Sequence, residues 1–244
     1  MAGLLSLFQK KKDPIICSAV IVAAGSARRM EGIDKILTPL GEVPVLVHTL
    51  QAFQTCSFFD ELVVVTREDL LVEVSGLCRE FEINKVTKVV VGGQQRTESV
   101  LAGVREVRPE ANLIAIHDGA RPFVSQEILE ETVKKAAETG AAVPAIPVID
   151  TIKRVENGLT VETLDRTSLW AVQTPQIFEA GLIRAAIEKA VSEGETLTDD
   201  CAAVERIGMK VSLTAGSREN IKITTPFDLL LGESILESIQ GGRI

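Results

Sequence analysis

The chain has 244 residues, of which 45% are hydrophobic and 25% charged, a profile typical of a globular protein that buries a full core. Its formal net charge of -8 argues against a general nucleic-acid binder, which needs a basic face. The sequence contains no apolar run of roughly 18 to 20 residues for a membrane span, its N-terminus lacks the order of a secretory signal, and its four cysteines form no CxxC pair. We therefore expect a cytoplasmic protein that binds no nucleic acid or membrane.

Short apolar runs alternate with amphipathic stretches in the N-terminal part of the chain, which predicts an α/β fold with a doubly wound parallel sheet. Pro44 suits position N1 of the first helix, and Ser125 suits the N-cap of the fourth. Ligands of such sheets bind at the carboxyl ends of the strands. The predicted strands are 15–23, 61–66, 86–91, 113–117 and 141–146, and the predicted helices are 45–53, 69–81, 97–107 and 126–139.

Residues 149–170 break this pattern because apolar and polar residues alternate on either side of Glu156-Asn157-Gly158, a hairpin signal. A solitary hairpin is marginal in water, so we expect it to pack against a partner subunit. We predict one domain over 1–244, with 149–171 as an inserted β-arm. The remaining elements are an extended turn at Thr174-Pro175-Gln176 that leads into a helix, helices at 179–192 and 199–207, strands at 210–214 and 220–224, and a closing helix from Pro226.

The first predicted strand ends in AAGSARRMEGIDK. Gly25 would let backbone N–H groups approach phosphate oxygens closely, and Arg28, Arg29 and Lys35 add cations beside the turn. The segment lacks the GK[ST] ending of a P-loop and the further glycines of a dinucleotide-binding turn. It therefore favours a triphosphate-binding loop of another kind. The alternative is a turn with a purely structural role.

The third strand is followed by GGQQRTESV. Gly93 permits close backbone approach, and Arg96 and Ser99 offer hydrogen-bond donors near a helix N-terminus, where polar or anionic ligands bind well. The alternative is an ordinary strand-to-helix turn that Thr97 or Ser99 caps.

The fourth strand runs into IHDGARPFV. Asp118 at the strand end is a suitable Mg²⁺ ligand if triphosphate oxygens complete the shell, and Arg121 follows closely. His117 is more typical of a structural residue than of a catalytic one. Lys222, between Ile221 and Ile223 of a predicted strand, is either a site cation or a surface lysine.

In this order the motifs resemble the 2-C-methyl-D-erythritol 4-phosphate cytidylyltransferase family of the non-mevalonate isoprenoid pathway. The resemblance covers residues 20–230 and implies a Rossmann-like, three-layer α/β/α nucleotidyltransferase sheet with a protruding β-arm that interlocks a homodimer. It implies transfer of CMP from CTP to 2-C-methyl-D-erythritol 4-phosphate, with Mg²⁺ and release of pyrophosphate. The segments that carry it are AAGSARRM, GGQQRTESV, HDGARP, PVIDTIKRV, LDRTSLWAVQTPQIF, TDD and NIKIT.

The resemblance also implies roles for individual residues. Arg29 and Lys35 match the catalytic pair that stabilises charge on the reacting α-phosphate, and Asp118 matches the Mg²⁺ ligand. The implied nucleotide contacts are Ala23, Ala24, Gly25, Gly93, Arg96, Ser99, Asp118 and Ala120. The implied contacts with the sugar-alcohol phosphate are Arg121, Thr174 and Lys222 of one subunit and Thr151 and Arg166 on the arm of the other.

Two positions depart from the family's pattern: Ala27 stands where glycine is usual, and Asp34 stands where proline is frequent before the lysine. One alternative function is that of the ribitol 5-phosphate cytidylyltransferases, which share the early motifs, although Arg166 in LDRTSLW favours methylerythritol phosphate. The other is a nucleotide-binding module without catalysis, which the intact Arg29, Lys35 and Asp118 argue against.

Overall fold

The computed structural model describes residues 15–25 and 34–242. The strands are β1 (Cys17–Val22), β2 (Pro39–Leu40), β3 (Val43–Pro44), β4 (Phe59–Thr66), β5 (Val86–Val91), β6 (Leu113–Asp118), β7 (Ala141–Pro147), β8 (Lys153–Glu156), β9 (Leu159–Thr163), β10 (Trp170–Val172), β11 (Gln176–Glu179) and β12 (Ser212–Ala215). The helices are α1 (Val45–Thr55), α2 (Leu71–Glu80), α3 (Arg96–Glu106), α4 (Gln126–Thr139), α5 (Ala180–Ser192), α6 (Cys201–Arg206) and α7 (Pro226–Gln240).

The main sheet has the strand order β10-β7-β11-β6-β1-β4-β5, and β12 also pairs with β7. The β6-β1-β4-β5 part is parallel throughout, as the continuous apolar runs predict. β11 is antiparallel to both of its neighbours, β6 and β7. The carboxyl ends of β1, β4, β5 and β6 therefore meet at one edge, where a ligand is expected.

Helices cover both faces of the sheet because successive strand residues alternate between two apolar clusters. Ile21 packs into the cluster that includes Leu50 of α1 and Leu129 of α4, whereas Val20 packs into the cluster that includes Val100 of α3 and Ile183 of α5. This arrangement confirms the three-layer α/β/α architecture. No helix in residues 15–25 and 34–242 is long and apolar enough to cross a membrane.

The starts of the helices test the capping predictions. The N-cap Ser125 is confirmed, since its side chain accepts a hydrogen bond from Ile128 N at 3.2 Å. The N1 assignment of Pro44 is wrong by one position, because Pro44 is the N-cap and still belongs to β3. The helix predicted from residue 69 begins as a 3₁₀ turn at Glu68–Leu70 and becomes α-helical at Leu71.

The C-terminal third contains the larger corrections. The predicted turn at Thr174-Pro175-Gln176 leads into strand β11 and not directly into a helix. The predicted strand at 220–224 is wrong, since this segment is irregular and is held by single contacts such as Ile223 N to Ala120 O at 2.8 Å. The other elements shift only at their ends: α6 begins at Cys201, and β12 begins at Ser212.

The predicted hairpin is confirmed as a separate two-stranded sheet of β8 and β9. Asn157 and Gly158 have positive φ angles of 51° and 79°, as a tight hairpin turn requires. Every residue of both strands is exposed, including the apolar Val155 and Leu159. The division into one domain with an inserted arm stays a prediction.

Candidate active site

A cavity of about 680 Å³ opens at the carboxyl ends of the parallel strands, a size typical of small-molecule sites. The sequence predictions converge on it from four separate segments of the chain. The predicted residues that line it are Ala23, Ala24, Gly25, Lys35, Gly93, Arg96, Ser99, Asp118, Ala120 and Lys222.

The end of β1 forms one wall of the cavity. Ala23 N donates a hydrogen bond to Val65 O at 2.7 Å, which ties this end to β4. A Cβ atom at Gly25 would meet no heavy atom of residues 15–25 and 34–242 within 4 Å. Lys35 is half-buried on the same side. The catalytic candidate Arg29, together with Ala27 and Arg28, lies outside the described residues.

The turn between β5 and α3 requires glycine. A Cβ at Gly92 would lie 2.7 Å from Ala24 Cβ, and a Cβ at Gly93 would lie 2.3 Å from Glu98 Cβ. The N-cap of α3 is Gln95 and not Thr97 or Ser99. The Ser99 hydroxyl donates inside the turn, to Gln95 O at 3.1 Å and Gly93 O at 3.3 Å. The turn is therefore rigid, with its backbone on the cavity.

Arg96 at the start of α3 is held by a buried carboxylate that we predicted only as part of a helix start. Its Nη1 and Nη2 atoms bond both carboxylate oxygens of Asp200 at 2.8 and 2.7 Å, and Asp200 is 1% exposed. Burial raises the pKa of Asp200, and Arg96 opposes that shift. Gln176 Oε1 accepts hydrogen bonds from Asp200 N and Cys201 N, both at 2.9 Å. The pair with Asp200 therefore holds Arg96 and the turn before it, and contact of Arg96 with the nucleotide stays a prediction. Asp200 belongs to the TDD segment, which did not identify it as the partner of Arg96.

Three cationic side chains lie around the carboxylate of Asp118 at the end of β6. Lys222 Nζ lies 2.8 Å from Oδ2, Arg121 Nε lies 3.6 Å from the same atom, and Arg96 Nη2 lies 4.0 Å from Oδ1. Burial by itself would raise the pKa of Asp118, but these cations outweigh it and hold the pKa well below its ordinary value. The carboxylate is therefore ionised across the physiological pH range.

A buried chain of hydrogen bonds holds the backbone at Asp118. Asp118 N donates to Thr174 Oγ1 at 3.2 Å, Thr174 Oγ1 lies 3.0 Å from His117 Nδ1, and His117 Nε2 lies 3.3 Å from Arg121 O. The carbonyl of Arg121 can only accept a hydrogen bond, so Nε2 of the neutral His117 ring carries the proton. Nδ1 then accepts a hydrogen bond from the Thr174 hydroxyl, which itself accepts one from Asp118 N. Burial lowers the pKa of His117 to about 3, so the ring is neutral and holds the strand end.

Other residues that the resemblance assigns to the sugar-alcohol phosphate do not line the cavity. Arg121 is mostly buried, and its Nη1 donates to Asn220 O at 2.6 Å, which braces the segment that carries Lys222. Thr151 and Arg166 are exposed on the segment around the hairpin, where Arg166 Nη1 donates to Ile149 O at 2.6 Å. No residue of 149–171 is among those that line the cavity.

At the end of β6, the carboxylate of Asp118 is the group that could bind a metal ion. Among the described residues no group of three or more His, Cys, Asp or Glu side chains could enclose a metal ion. The donor set fits a cation that takes one protein carboxylate and completes its shell with phosphate oxygens and water, as Mg²⁺ does.

Comparison with known proteins gives a consistent result along the chain. The family model of 2-C-methyl-D-erythritol 4-phosphate cytidylyltransferase matches residues 17–238. A relative of that name from Halalkalibacterium halodurans is 45% identical over 220 residues, which cover 90% of this chain and 96% of the relative. Another of that name, from Bacillus licheniformis, is 41% identical over 220 residues, which cover 90% and 95%.

The fold agrees with the sequence match. The crystal structure of 4-diphosphocytidyl-2C-methyl-D-erythritol synthase from Anaerococcus prevotii superposes with a TM-score of 0.83 at 29% identity, covering 92% of this chain and 97% of that one. The resemblance carried by the motifs is thereby confirmed. The chain belongs to the 2-C-methyl-D-erythritol 4-phosphate cytidylyltransferase family, the nucleotidyltransferases of the non-mevalonate isoprenoid pathway.

Proposed function

We propose that the chain transfers CMP from CTP to 2-C-methyl-D-erythritol 4-phosphate, giving 4-diphosphocytidyl-2-C-methyl-D-erythritol and pyrophosphate. The observation that carries this proposal is the set of cations around Asp118 in a cavity that is also lined by the end of β1 and by the glycine turn after β5. Such a cavity suits two phosphate-bearing substrates, one on these two backbone segments and one beside Lys222.

The nucleotide half of the site consists of backbone at the ends of β1 and β5. Ala23, Ala24 and Gly25 face the phosphates, and the rigid turn with Gly93 and Ser99 faces the base. The turn is held by the Arg96–Asp200 pair, so its polar groups are oriented before the substrate arrives. Lys35, with Arg29 of the adjoining segment, stabilises negative charge on the α-phosphate.

The acceptor half of the site is centred on Lys222. Its ammonium group lies 2.8 Å from Asp118 Oδ2 and reaches the cavity, so it can hold the phosphate of the acceptor. Arg121 and Thr174, which the resemblance assigns to contact with the acceptor, do not line the cavity. Thr174 holds the backbone at Asp118, and Arg121 holds the segment that carries Lys222. Thr151 and Arg166 reach the acceptor from the arm of a second subunit in a homodimer, which accounts for an exposed hairpin with apolar residues such as Leu159.

Asp118, together with phosphate oxygens of CTP, would hold Mg²⁺. When bound, the ion neutralises phosphate charge and favours departure of pyrophosphate. The acceptor phosphate attacks the α-phosphorus in line and the bond to the β-phosphate oxygen breaks, so no covalent intermediate with the protein is required. Positioning and electrostatic stabilisation of two polyanions are the contributions of the chain.

Pyrophosphate release with CTP and Mg²⁺ tests the proposal. We expect rapid release with 2-C-methyl-D-erythritol 4-phosphate and little with ribitol 5-phosphate or with no acceptor. A preference for ribitol 5-phosphate would replace the acceptor assignment. Binding of CTP without release for either acceptor would identify a nucleotide-binding module and overturn the proposal. The same assay with Mg²⁺ removed by a chelator should show loss of turnover that added Mg²⁺ restores.

A further inference from the structure

Arg67, directly after β4, lines the cavity but has no role in the scheme above. Its Nη1 lies 2.6 Å from Asp34 Oδ2 and donates to Gly25 O at 3.3 Å. Its Nε and Nη2 atoms bond the two carboxylate oxygens of Asp69, both at 3.1 Å. One guanidinium therefore joins the end of the β1 wall to the residue that precedes Lys35.

Charge pairing distinguishes Arg67 from a phosphate ligand. It faces two carboxylates, and its hydrogen bonds to Asp69, together with the negative charge of Asp34, raise its pKa. Its side chain is 27% exposed and that of Asp34 is 15% exposed, so the Arg67–Asp34 contact is shielded more than an ordinary surface pair. With both acids in place, little net positive charge remains for a triphosphate.

Asp34 in turn organises the backbone around Lys35. Its Oδ1 atom accepts a hydrogen bond from Ile36 N at 3.2 Å, and its carbonyl accepts from Leu37 N at 3.1 Å and Thr38 N at 3.0 Å. The same turn contacts the start of α1 through Leu46 N to Ile36 O at 2.9 Å. Fixing the Asp34 carboxylate therefore fixes the backbone that carries Lys35.

We propose that Arg67 is a positioning residue: by bridging the Gly25 carbonyl and the Asp34 carboxylate, it sets the distance between the phosphate-facing wall and Lys35. This inference rests on the proposed function for its kinetic consequence, because Lys35 is assigned to the α-phosphate. It also gives Asp34, which stands where the family frequently has proline, a structural partner within the site.

Kinetics of Arg67→Ala, Asp34→Asn and the double variant test the bridge. Asp34→Asn keeps the acceptor oxygen for Ile36 N and removes only the charge that pairs with Arg67. We expect each single variant to lower kcat/KM for CTP about threefold to tenfold, and the double variant to be no worse than the poorer single one. Arg67→Lys should recover part of the loss, because one ammonium cannot make all the contacts of the guanidinium. Lys88→Ala, which breaks an exposed pair with Glu106 elsewhere, is the matched control and should leave kcat/KM unchanged.

A direct phosphate ligand predicts a different result. If Arg67 bound the triphosphate, Asp34→Asn would remove a competing negative charge and improve CTP binding while Arg67→Ala weakened it. Tighter CTP binding in Asp34→Asn together with weaker binding in Arg67→Ala would overturn the positioning role. Strictly additive losses of kcat/KM in the double variant would also overturn it.

Hydrogen exchange separates this inference from the proposed function. In the protein without substrates, the amides of Ile36, Leu37 and Thr38 should exchange faster in Arg67→Ala and Asp34→Asn than in the unmodified chain or in Lys88→Ala. Unchanged exchange at these amides would refute the bridge. If the unmodified chain released pyrophosphate with neither acceptor, the proposed function would be wrong. The exchange data would still test whether Arg67 bridges Gly25 and Asp34.

Discussion

Asp118 is closer to Lys222 than to Arg121 or Arg96, and this asymmetry has a kinetic consequence. Removing Lys222 should leave Asp118 ionised, because two cations remain beside it, but it removes the cation that lies nearest to Asp118 and also lines the cavity. The contacts that hold the glycine turn after β5 come from Arg96, Asp200 and Ser99 and not from Lys222. The residue should therefore discriminate between the two substrates.

We expect Lys222→Ala to raise the KM for 2-C-methyl-D-erythritol 4-phosphate about tenfold or more, as for loss of a charge-assisted phosphate contact, with a much smaller change for CTP. Initial-rate kinetics with each substrate varied in turn measure the difference. Lys222→Arg, which keeps the charge, should retain more acceptor affinity than Lys222→Ala. Equal weakening of both substrates would show that Lys222 acts on the whole site and not on the acceptor half.

At the scale of the elements, Glu61 links the strands that carry the site. It is 4% exposed, and its Oε2 atom accepts hydrogen bonds from Ser18 Oγ at 2.7 Å and Arg108 N at 3.0 Å, while Oε1 accepts from Thr87 Oγ1 at 3.1 Å. Burial by itself would raise the pKa of Glu61, but these hydrogen bonds and Arg108 lower it overall. One carboxylate thus joins β1, β4, β5 and the end of α3.

Glu61→Gln should lower the free energy of unfolding by about 1 to 3 kcal/mol at pH 7, since an amide cannot accept all of these bonds. The pKa of the folded carboxyl is depressed, so its contribution is complete above the ordinary value of 4.5 and is lost as the pH falls below it. Denaturant unfolding at pH 7 and pH 4 should show the difference between the two proteins shrinking at the lower pH. Glu130→Gln, on an exposed pair with Lys134, is the control and should show a small effect at both. A constant difference across this range would contradict the assignment.

The elements also show what the sequence can and cannot predict. The parallel strands were predictable because burial on both faces gives continuous apolar runs, and Ser125 and the Asn157-Gly158 turn have strong local preferences. β11 was missed because four residues after a proline give no periodicity, and only its neighbours β6 and β7 make it a strand. The segment 220–224 has the apolar alternation of a strand but pairs with no strand in the described part of the chain.

The same distinction holds within the site. Residues at strand ends, such as Asp118 and Gly25, were predictable because topology brings strand ends together. Asp200 and Arg67 were not predicted as part of the site, because their roles depend on contacts with residues 104 and 42 positions away, Arg96 and Gly25, which no local pattern reveals.

At the scale of the whole molecule, the exposed hairpin separates two models of the site. In the exchanged-arm model, Arg166 acts in the neighbouring subunit, whereas Lys35 acts in its own. A heterodimer of Lys35→Ala and Arg166→Ala chains would then contain one intact site and one site lacking both residues.

Mixing these two weakly active variants, separately tagged and purified as heterodimers, should therefore restore turnover to about half the value of the unmodified dimer, one site of two. Each variant alone, treated in the same way, is the control. If the arm served its own subunit, every site in the heterodimer would lack one residue and no activity would return. The steady-state rate per heterodimer measures the outcome directly.

The position of β11 also constrains how the chain acquires its structure during synthesis. β6 and β7 are separated in the sheet by a strand that follows β7 in the chain, so the hydrogen-bonded order β7-β11-β6 cannot form before residues 176–179 have been made. The β5-β4-β1-β6 part can pair earlier from sequence already available. Asp118 can therefore take its place at the end of β6 before Thr174 and Lys222 have been made, and a chain that stops short of β11 would leave an open edge at β6.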